Sequence, residues 1–307
     1  MKLALVIVSL AIAVALIAGA IWLYTPDKAR SVVEARYADA PTDFVEVAGV
    51  RLHVRDSGPR DAPAIVMLHG FGSSLHTWEP WAGALSRDRR VIRFDLPGAG
   101  LTGPDPTGDY SDRRSLEVLI ALMDRLGVAR ASLIGNSIGG RIAWKLAAEK
   151  PARVDRLVLI SPDGFASPGA GYGQLPDVPA SFRLLRFVLP TAFVRMSLGP
   201  AYADPSRLTD DVVTRYRDLM LAPGVRDAMI ARMEQAVLVD PDPLLRRIQA
   251  PTLLLWGEKD AMIPIANAAD YLSRIAGAQL VALPGLGHVP QEEGPTVSLE
   301  PVRDFLK

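Results

Sequence analysis

The chain has 307 residues, of which 49% are hydrophobic, enough to fill a sizeable core. Lysine and arginine together number 34, as do aspartate and glutamate, so the zero net charge indicates neither a nucleic-acid partner nor an acidic disordered tail. Cysteine is absent, which excludes disulfides, thiolate metal sites and a cysteine nucleophile.

The first segment, 1–25, is predicted to be a membrane anchor. The 22 residues from Leu3 to Tyr24 contain only Ser9 as a clearly polar residue. A helix of that length spans roughly 33 Å, the thickness of a bilayer core. Trp22 and Tyr24 stand where interfacial aromatic side chains occur. We therefore expect a transmembrane helix, with the remaining domain anchored outside the cytoplasm.

Two other interpretations of this segment stay open. Ala18-Gly19-Ala20 resembles a signal-cleavage site, which would release a secreted protein. The apolar pattern continues beyond it through Leu23, which favours an uncleaved anchor. The segment could also form a buried helix of the folded domain. Residues 26–40 are predicted to be a stalk, and a chain that begins near Ala40 is expected to be soluble.

The rest of the chain alternates between strand and helix patterns. Apolar or alternating runs predict strands at 44–47, 50–56, 64–68, 90–94, 131–134, 154–160, 252–256 and 279–283. Helical spacing is found near 78–85, 111–126, 138–150, 264–275 and 296–306. This alternation is typical of an α/β protein with a doubly wound, mostly parallel sheet.

One long segment interrupts the alternation. Between 161 and 242 no run resembles a strand, and helical patches occur at 182–189, 192–198, 211–221 and 226–239. We predict a helical cap over residues 163–242, inserted into a core formed by 41–162 and 243–307.

The cap contributes two sets of candidate substrate contacts. Half of the chain's methionines lie there, and methionine adapts to varied apolar shapes, although packing on the core is the alternative role. These are Met196, Met220, Met229 and Met233. Cap arginines could meet an acidic group of a substrate, or could form solvated helix faces: Arg183, Arg186, Arg195, Arg215, Arg217, Arg226 and Arg232.

Ser137 is the candidate nucleophile. It lies in Gly135-Asn-Ser-Ile-Gly139, between a predicted strand and a predicted helix. Small residues two positions before and after the serine permit a turn so sharp that a Cβ there would collide with backbone. Such a turn exposes the hydroxyl at the helix N-terminus.

A serine nucleophile needs a base that is held by an acid. His288 follows the last strand in a Gly/Pro-rich loop and is the best candidate base among four histidines. His53 is expected to have a structural role, and His76 is expected to lie at the surface. Asp260 directly follows a strand and is the best candidate acid, with Asp163 as the runner-up. Glu258 falls earlier in the turn.

The oxyanion donors are predicted from the same logic. The amide of Ile138 follows the nucleophile at the helix N-terminus, and the amide of Phe71 lies in the His69-Gly-Phe-Gly72 loop after an early strand. Loss of one such donor costs about 3–4 kcal/mol of transition-state stabilisation.

Five motifs resemble those of the α/β-hydrolase fold family across about 41–307. They are His69-Gly-Phe-Gly72, Asp95-Leu-Pro-Gly98 with Gly100, Gly135-Asn-Ser-Ile-Gly-Gly140, Gly257-Glu-Lys-Asp260 and Gly287-His-Val-Pro290. The resemblance implies an eight-stranded sheet, a helical cap after the sixth strand and a Ser137–Asp260–His288 triad. Relatives with an aspartate nucleophile, the haloalkane dehalogenases and epoxide hydrolases, do not fit a serine at position 137.

The expected activity is hydrolysis of carboxylic esters with apolar acyl groups, from short esters to monoacylglycerols, through an acyl-enzyme. C–C hydrolases of vinylogous diketones are similar around the serine, but they usually carry tryptophan after the catalytic histidine, where this chain has Val289. Cofactor-free perhydrolysis and a non-catalytic ligand receptor are further alternatives.

No cofactor or metal is expected. Gly98-Ala-Gly-Leu-Thr-Gly103 follows a strand, but Pro104 and Pro106 prevent the helix that a dinucleotide site requires. The expected partners are a small-molecule ester and, through the N-terminal segment, a membrane. The sequence indicates neither nucleic-acid binding nor an oligomeric state.

Overall fold

The computed structural model describes residues 2–166 and 171–307, and within the first helix it leaves out the side chains of 2–4, 11, 15–17 and 20. Residues 167–170 belong to the predicted cap and lie outside the described residues.

Eight strands form one sheet. They are β1 (Phe44–Val47), β2 (Val50–Ser57), β3 (Ala64–Leu68), β4 (Arg90–Phe94), β5 (Ala131–Asn136), β6 (Val154–Ile160), β7 (Thr252–Gly257) and β8 (Gln279–Leu283). Their spatial order is β1-β2-β4-β3-β5-β6-β7-β8. The first two pairings, β1 with β2 and β2 with β4, are antiparallel, and all others are parallel. The predicted eight-stranded, mostly parallel sheet is confirmed.

The helices number twelve among the described residues. They are α1 (Lys2–Leu23), α2 (Arg30–Tyr37), α3 (Glu79–Leu85), α4 (Asp112–Arg125), α5 (Ile138–Glu149), α6 (Thr191–Leu198), α7 (Asp210–Met220), α8 (Val225–Glu234), α9 (Asp242–Leu245), α10 (Ala268–Leu272), α11 (Pro290–Glu293) and α12 (Pro295–Phe305). Short 3₁₀ turns separate several of them, including Ala180–Arg186 and Gly199–Ala201 in the cap.

Both faces of the sheet are covered, as the continuous apolar character of the central strands predicts. On one face the core contains Trp144 of α5, Trp256 of β7 and Tyr271 of α10. On the other it contains Trp78 and Trp81, next to and within α3. Because helices cover both faces, the loops at the carboxyl ends of the parallel strands are the open part of the sheet, and Ser137, Asp260 and His288 lie in these loops.

Between β6 and β7 the described residues form helices and turns. Two of the helices, α6 and α7, and the turns beside them form a separate apolar cluster that includes Leu189, Val194 and Val213. This cluster also contains Val289 from the loop after β8, so the cap packs directly on the core.

The predicted stalk, 26–40, does not stand apart from the domain. We call residues 25–37 the N-terminal strap, because they lie across the cap and bind it at several points. Lys28 Nζ and Arg36 Nη1 pair with the buried carboxylate of Asp218 in α7, at 2.6 and 2.9 Å. Tyr37 Oη donates to the same carboxylate at 3.0 Å, and Val33 is 2% exposed. A buried carboxylate and a buried valine bind this segment to the fold.

The N-terminal helix α1 carries the predicted membrane span. The described residues include no helix that is both long enough and apolar enough to cross a membrane. The predicted transmembrane helix is therefore not supported by the structure.

Candidate active site

The candidate nucleophile lies at the tip of a strained turn between β5 and α5. Ser137 has φ 55° and ψ −121°, a conformation that non-glycine residues rarely adopt. Its N–H donates to Ile160 O at 3.0 Å, and its carbonyl accepts from Asp163 N at 3.1 Å. These backbone bonds to the end of β6 and the residues after it hold the turn in its strained form.

The glycines around Ser137 are required by close contacts. A Cβ on Gly135 would lie 2.4 Å from the carbonyl oxygen of Gly139. A Cβ on Gly139 would lie 2.2 Å from Leu68 O, at the end of β3. Both distances are far below contact range, so the sharp turn predicted from the sequence occurs and excludes side chains at both positions.

His288 and Asp260 form the pair that the sequence predicted. His288 Nδ1 lies 2.8 Å from Asp260 Oδ2, and both residues are buried. Asp260 Oδ1 also accepts from the amides of Met262 and Ile263, each at 2.8 Å. Burial opposes ionisation of Asp260, but the His288 ring and the Ile263 amide outweigh it and lower its pKa below the usual range. The carboxylate can therefore hold Nδ1 protonated and leave Nε2 as the basic nitrogen.

The other two candidate acids are placed elsewhere. Asp163 is paired with Arg141 Nη1 at 2.9 Å. Glu258 is exposed. Neither is hydrogen-bonded to His288 among the described residues, so Asp260 has the geometry of the acid.

Ser137 and His288 line the same cavity. The described residues include no hydrogen bond between the Ser137 hydroxyl and His288. Such contacts are often long in unliganded enzymes and tighten when the substrate binds. The side chain of Asn136 also joins the two loops, since its Nδ2 donates to His288 O at 3.0 Å.

The predicted oxyanion loop lies against the nucleophile. A Cβ on Gly70 would be 3.3 Å from Ser137 Cβ, so this loop and the turn are in direct proximity. Among the described residues, no hydrogen bond uses the amide of Phe71 or of Ile138. Ile138 begins α5, whose first N–H groups lack partners within the helix. Both predicted donors are thus available to an anion beside Ser137.

A cavity of about 390 Å³ opens beside the serine. Of the four predicted cap methionines, Met220, Met229 and Met233 line it. Met196 does not, because its side chain is 68% exposed on the outer face of α6, and that prediction is wrong. Met262 also lines the cavity. It lies two residues after Asp260, outside the cap, and was not predicted from the sequence.

The cap is bonded to the loop that carries the candidate base. The carbonyl of Ala201 accepts from the amides of His288 and Val289, at 2.8 and 3.3 Å. Glu293 Oε1 accepts from the cap amide of Asp204 at 2.7 Å, and its Oε2 accepts from Gly287 N at 2.6 Å. Glu293 therefore joins the cap to the residue before His288.

A second link between cap and core was not predicted from the sequence. Glu292 accepts hydrogen bonds from Tyr202 Oη at 3.0 Å and Tyr216 Oη at 2.7 Å, and pairs with Arg215 Nη2 at 2.8 Å. Tyr216 Oη also lies 3.1 Å from Ser73 Oγ in the oxyanion loop. These partners are far apart in sequence, so no local pattern could have indicated them.

The remaining histidines have structural environments. His53 Nδ1 lies 2.8 Å from buried Asp95, as a structural role requires. His69 Nε2 accepts from Leu96 N at 2.9 Å, so Nδ1 carries the proton and donates to Gly70 O. His76, expected at the surface, is 7% exposed, because it follows the oxyanion loop into the core. Burial, opposed by Asp95, lowers the pKa of His76 to about 4.

The cap arginines divide into two groups. Several are exposed and ion-paired on the cap surface, for example Arg183 with Glu234 and Arg186 with Asp227. Arg226 and Arg232 are buried instead, and Arg226 lines the cavity. The solvated-face interpretation is therefore wrong for these two.

The glycine-rich stretch after β4 forms a closed turn. Gly98 N donates to Gly103 O at 2.7 Å, and Ala99 pairs with Gly103 in a β-bridge across the turn. Within residues 2–166 and 171–307, no group of three histidine, aspartate or glutamate side chains is arranged to hold a metal ion.

Known proteins are similar to this chain in sequence and in structure. A putative carbamate hydrolase, RutD, of Pseudomonas savastanoi pv. phaseolicola is 31% identical over 252 residues, which cover 80% of this chain and 94% of the relative. A 2-hydroxymuconate semialdehyde hydrolase of Pseudomonas sp. strain CF600 is 28% identical over 273 residues, with 84% and 91% coverage. The crystal structure of the enol-lactonase from Burkholderia xenovorans LB400 superposes with a TM-score of 0.72 at 28% identity, covering 86% of this chain and 99% of that one.

The sequence profile of the alpha/beta hydrolase fold matches residues 63–295, which include the elbow serine, the buried acid and the histidine that it holds. Most of the described core falls within this match, and the cap lies inside it as an insertion. The chain belongs to the α/β-hydrolase fold family.

Proposed function

We propose that the protein is a serine hydrolase that cleaves carboxylic esters with apolar acyl groups through an acyl-enzyme. The observation that carries the proposal is the Asp260–His288 pair, at 2.8 Å, beside a strained serine in one cavity. Acyl transfer requires an imidazole that is hydrogen-bonded to a carboxylate and lies next to an exposed serine hydroxyl.

The reaction follows from the placement of these groups. Ser137 Oγ attacks the acyl carbon while His288 Nε2 takes the hydroxyl proton. The amides of Phe71 and Ile138 donate to the oxyanion. The leaving alcohol takes the proton from His288, and a water, activated in turn by His288, releases the acid from Ser137.

The cavity wall favours an apolar acyl group. Its volume, about 390 Å³, falls in the range of about 300–1,000 Å³ for small-molecule sites. Apolar side chains form most of the wall, including Leu185, Leu189, Phe193, Met229 and Met233. Methionines can adjust to acyl chains of different lengths, from short esters to monoacylglycerols.

A panel of p-nitrophenyl esters of increasing acyl length tests the proposal. We expect turnover by the wild-type protein and a loss of at least about 10³-fold in kcat for Ser137→Ala. A fluorophosphonate probe should label wild type and not the variant. Ester turnover that persists in Ser137→Ala would overturn the mechanism, and absence of both labelling and turnover in wild type would favour a non-catalytic receptor.

Hydrolysis of a C–C bond in a vinylogous diketone is the second candidate. It is favoured by the similarity to the 2-hydroxymuconate semialdehyde hydrolase, and opposed by Val289, where such enzymes usually carry tryptophan. Loss of the yellow absorbance of a 2-hydroxy-6-oxohexa-2,4-dienoate, at a rate above that of the ester panel, would support this candidate.

We further propose that α1 keeps the protein at a membrane with its hydrolase domain outside the cytoplasm. The proposal rests on the apolar sequence of α1 and on exposed side chains such as Leu5, Ile7, Leu10 and Trp22. The full chain should remain in membranes after a carbonate wash. Its release by carbonate, or cleavage after Ala20, would refute the anchor.

A further inference from the structure

Arg226 is a buried cation in the wall of the candidate active-site cavity. It is the second residue of α8, its side chain is 6% exposed, and it lines the same cavity as Ser137. The neighbouring wall is mainly apolar. An arginine in such a place is tolerated only when its charge is paired, because an isolated buried charge is very costly.

Asp27 of the N-terminal strap supplies the paired charge. Its Oδ1 accepts from Arg226 Nε at 3.1 Å and from Nη2 at 2.5 Å. Its Oδ2 accepts from the amide of Gly224 at 2.9 Å, which fixes the carboxylate at the start of α8. The strap thus reaches the back of the cavity wall, although Asp27 is not among the residues that line it.

Among the described residues, the pairing leaves part of the guanidinium without a hydrogen-bond partner. Arg226 Nη1 donates to Leu185 O at 3.0 Å, so three bonds account for three of the five N–H groups that an arginine carries. The remaining N–H groups can bind an acceptor without a net positive charge beside it, because Asp27 neutralises the cation.

We propose that the Asp27–Arg226 pair determines substrate specificity: it provides a neutral hydrogen-bond donor for uncharged acyl groups that carry a second oxygen, and it rejects acyl groups that carry a carboxylate. The inference rests on the proposed ester hydrolysis and narrows its substrate class. A carboxylate would have to lose its hydration in an apolar cavity and would meet an arginine whose charge Asp27 already neutralises. A carbonyl or ether oxygen carries a much smaller desolvation cost.

Three methyl esters with six-carbon acyl groups test the pair. They are methyl hexanoate, dimethyl adipate and monomethyl adipate, and their hydrolysis is followed by pH-stat. We expect wild type to have a higher kcat/KM for dimethyl adipate, corrected for its two identical ester groups, than for methyl hexanoate, and to hydrolyse monomethyl adipate least. These ratios compare substrates on one sample, so they do not depend on the folded fraction.

Four variants separate the roles of charge and donor. Asp27→Asn should raise kcat/KM for monomethyl adipate relative to methyl hexanoate by about tenfold or more, because Arg226 becomes an unpaired cation. Asp27→Glu keeps the charge and should keep the wild-type ratio. Arg226→Gln should reduce the preference for dimethyl adipate. Asp211→Asn, an exposed aspartate in α7, is the matched control and should change no ratio.

Calorimetric binding separates this inference from the proposed function. In the Ser137→Ala background, Asp27→Asn should tighten the binding of monomethyl adipate relative to dimethyl adipate by about tenfold. This result would support the pair even if the wild-type protein hydrolysed no ester. Ester ratios and monomethyl adipate affinity that stay within about twofold of wild type in Asp27→Asn would overturn the inference.

Discussion

Removal of the N-terminal strap gives the sharpest test of how the cap is held. A chain that begins at Ala40 lacks Lys28, Arg36 and Tyr37, which make all the hydrogen bonds that the described residues donate to the Asp218 carboxylate. Asp218 is 4% exposed at its side chain while the strap is in place, and the truncation removes its partners together with the segment that covers it.

The size of the effect follows from these three bonds. A hydrogen bond to a charged group contributes about 1.5–3 kcal/mol, so the loss of all three costs at least about 3 kcal/mol even after water hydrates the uncovered carboxylate. Loss of the contacts of Val33, which is 2% exposed, adds about 1.5–3 kcal/mol. At about 2–4 °C per kcal/mol for a domain of this size, the lost charge partners alone should lower the unfolding midpoint by about 6 °C or more.

Thermal unfolding of four proteins measures this effect. Chains that begin at Tyr24 and at Ala40 are compared, each with Asp218 and with Asp218→Asn. In the longer chain Asp218→Asn should lower the midpoint, because it weakens three charge-assisted bonds. In the chain that begins at Ala40 the same substitution should change the midpoint much less, because the three partners are already gone. Equal effects of Asp218→Asn in both backgrounds, or equal midpoints for the two Asp218 chains, would refute this reasoning.

Three more outcomes are expected. Gly139→Ala should prevent formation of the turn, because the added Cβ would lie 2.2 Å from Leu68 O, and kcat and the unfolding midpoint should fall together. The pKa of His76 is about 4 in the folded protein and about 6.5 in the unfolded chain. Denaturant titrations should therefore show the free energy of unfolding falling as the pH drops from about 6.5 to about 4, by about 2 kcal/mol at pH 5. His76→Gln should remove this contribution to the pH dependence. Asp260→Asn should lower kcat for an ester by about 10⁴-fold and Asp163→Asn by much less, as measured by steady-state kinetics.

Each of these outcomes has a contrary result. A Gly139→Ala protein with wild-type kcat would mean that the backbone moves to admit the Cβ. The unfolded state binds the proton of His76 between pH 6.5 and 4 and the folded state does not, so a pH profile unchanged by His76→Gln would contradict the lowered pKa. A larger loss for Asp163→Asn than for Asp260→Asn would reverse the assignment of the acid.

The sheet and the turn around Ser137 were predictable because their causes are local. Apolar runs five to seven residues long identify the strands that helices cover on both faces. The glycines at 135 and 139 are required because any side chain there would collide with the backbone. The pairing of Asp260 with His288 was predictable because the carboxyl ends of parallel strands meet at one edge of the sheet.

The unpredicted parts depend on contacts between distant segments. The strap looked like a polar spacer, since nothing within 26–40 indicates that Lys28 and Arg36 meet an aspartate in the cap. The three-donor cluster on Glu292 likewise requires knowledge of how α7 lies over α11. For Met196, helical spacing alone could not tell the outer face of α6 from the inner one, and the structure places its side chain outside.

The bond from the cap to the histidine loop has a consequence for the order of events in a catalytic cycle. The Ala201 carbonyl accepts from both His288 and Val289, so a movement that lifts this part of the cap also releases the backbone that positions the imidazole. In such an open state His288 would keep its bonds to Asp260 and Asn136 but lose both bonds from the cap, so the base would be held less firmly beside Ser137. Substrate entry and product departure on this side would therefore alternate with chemistry rather than overlap it, and an acyl group on the serine would be hydrolysed more slowly until the cap returned.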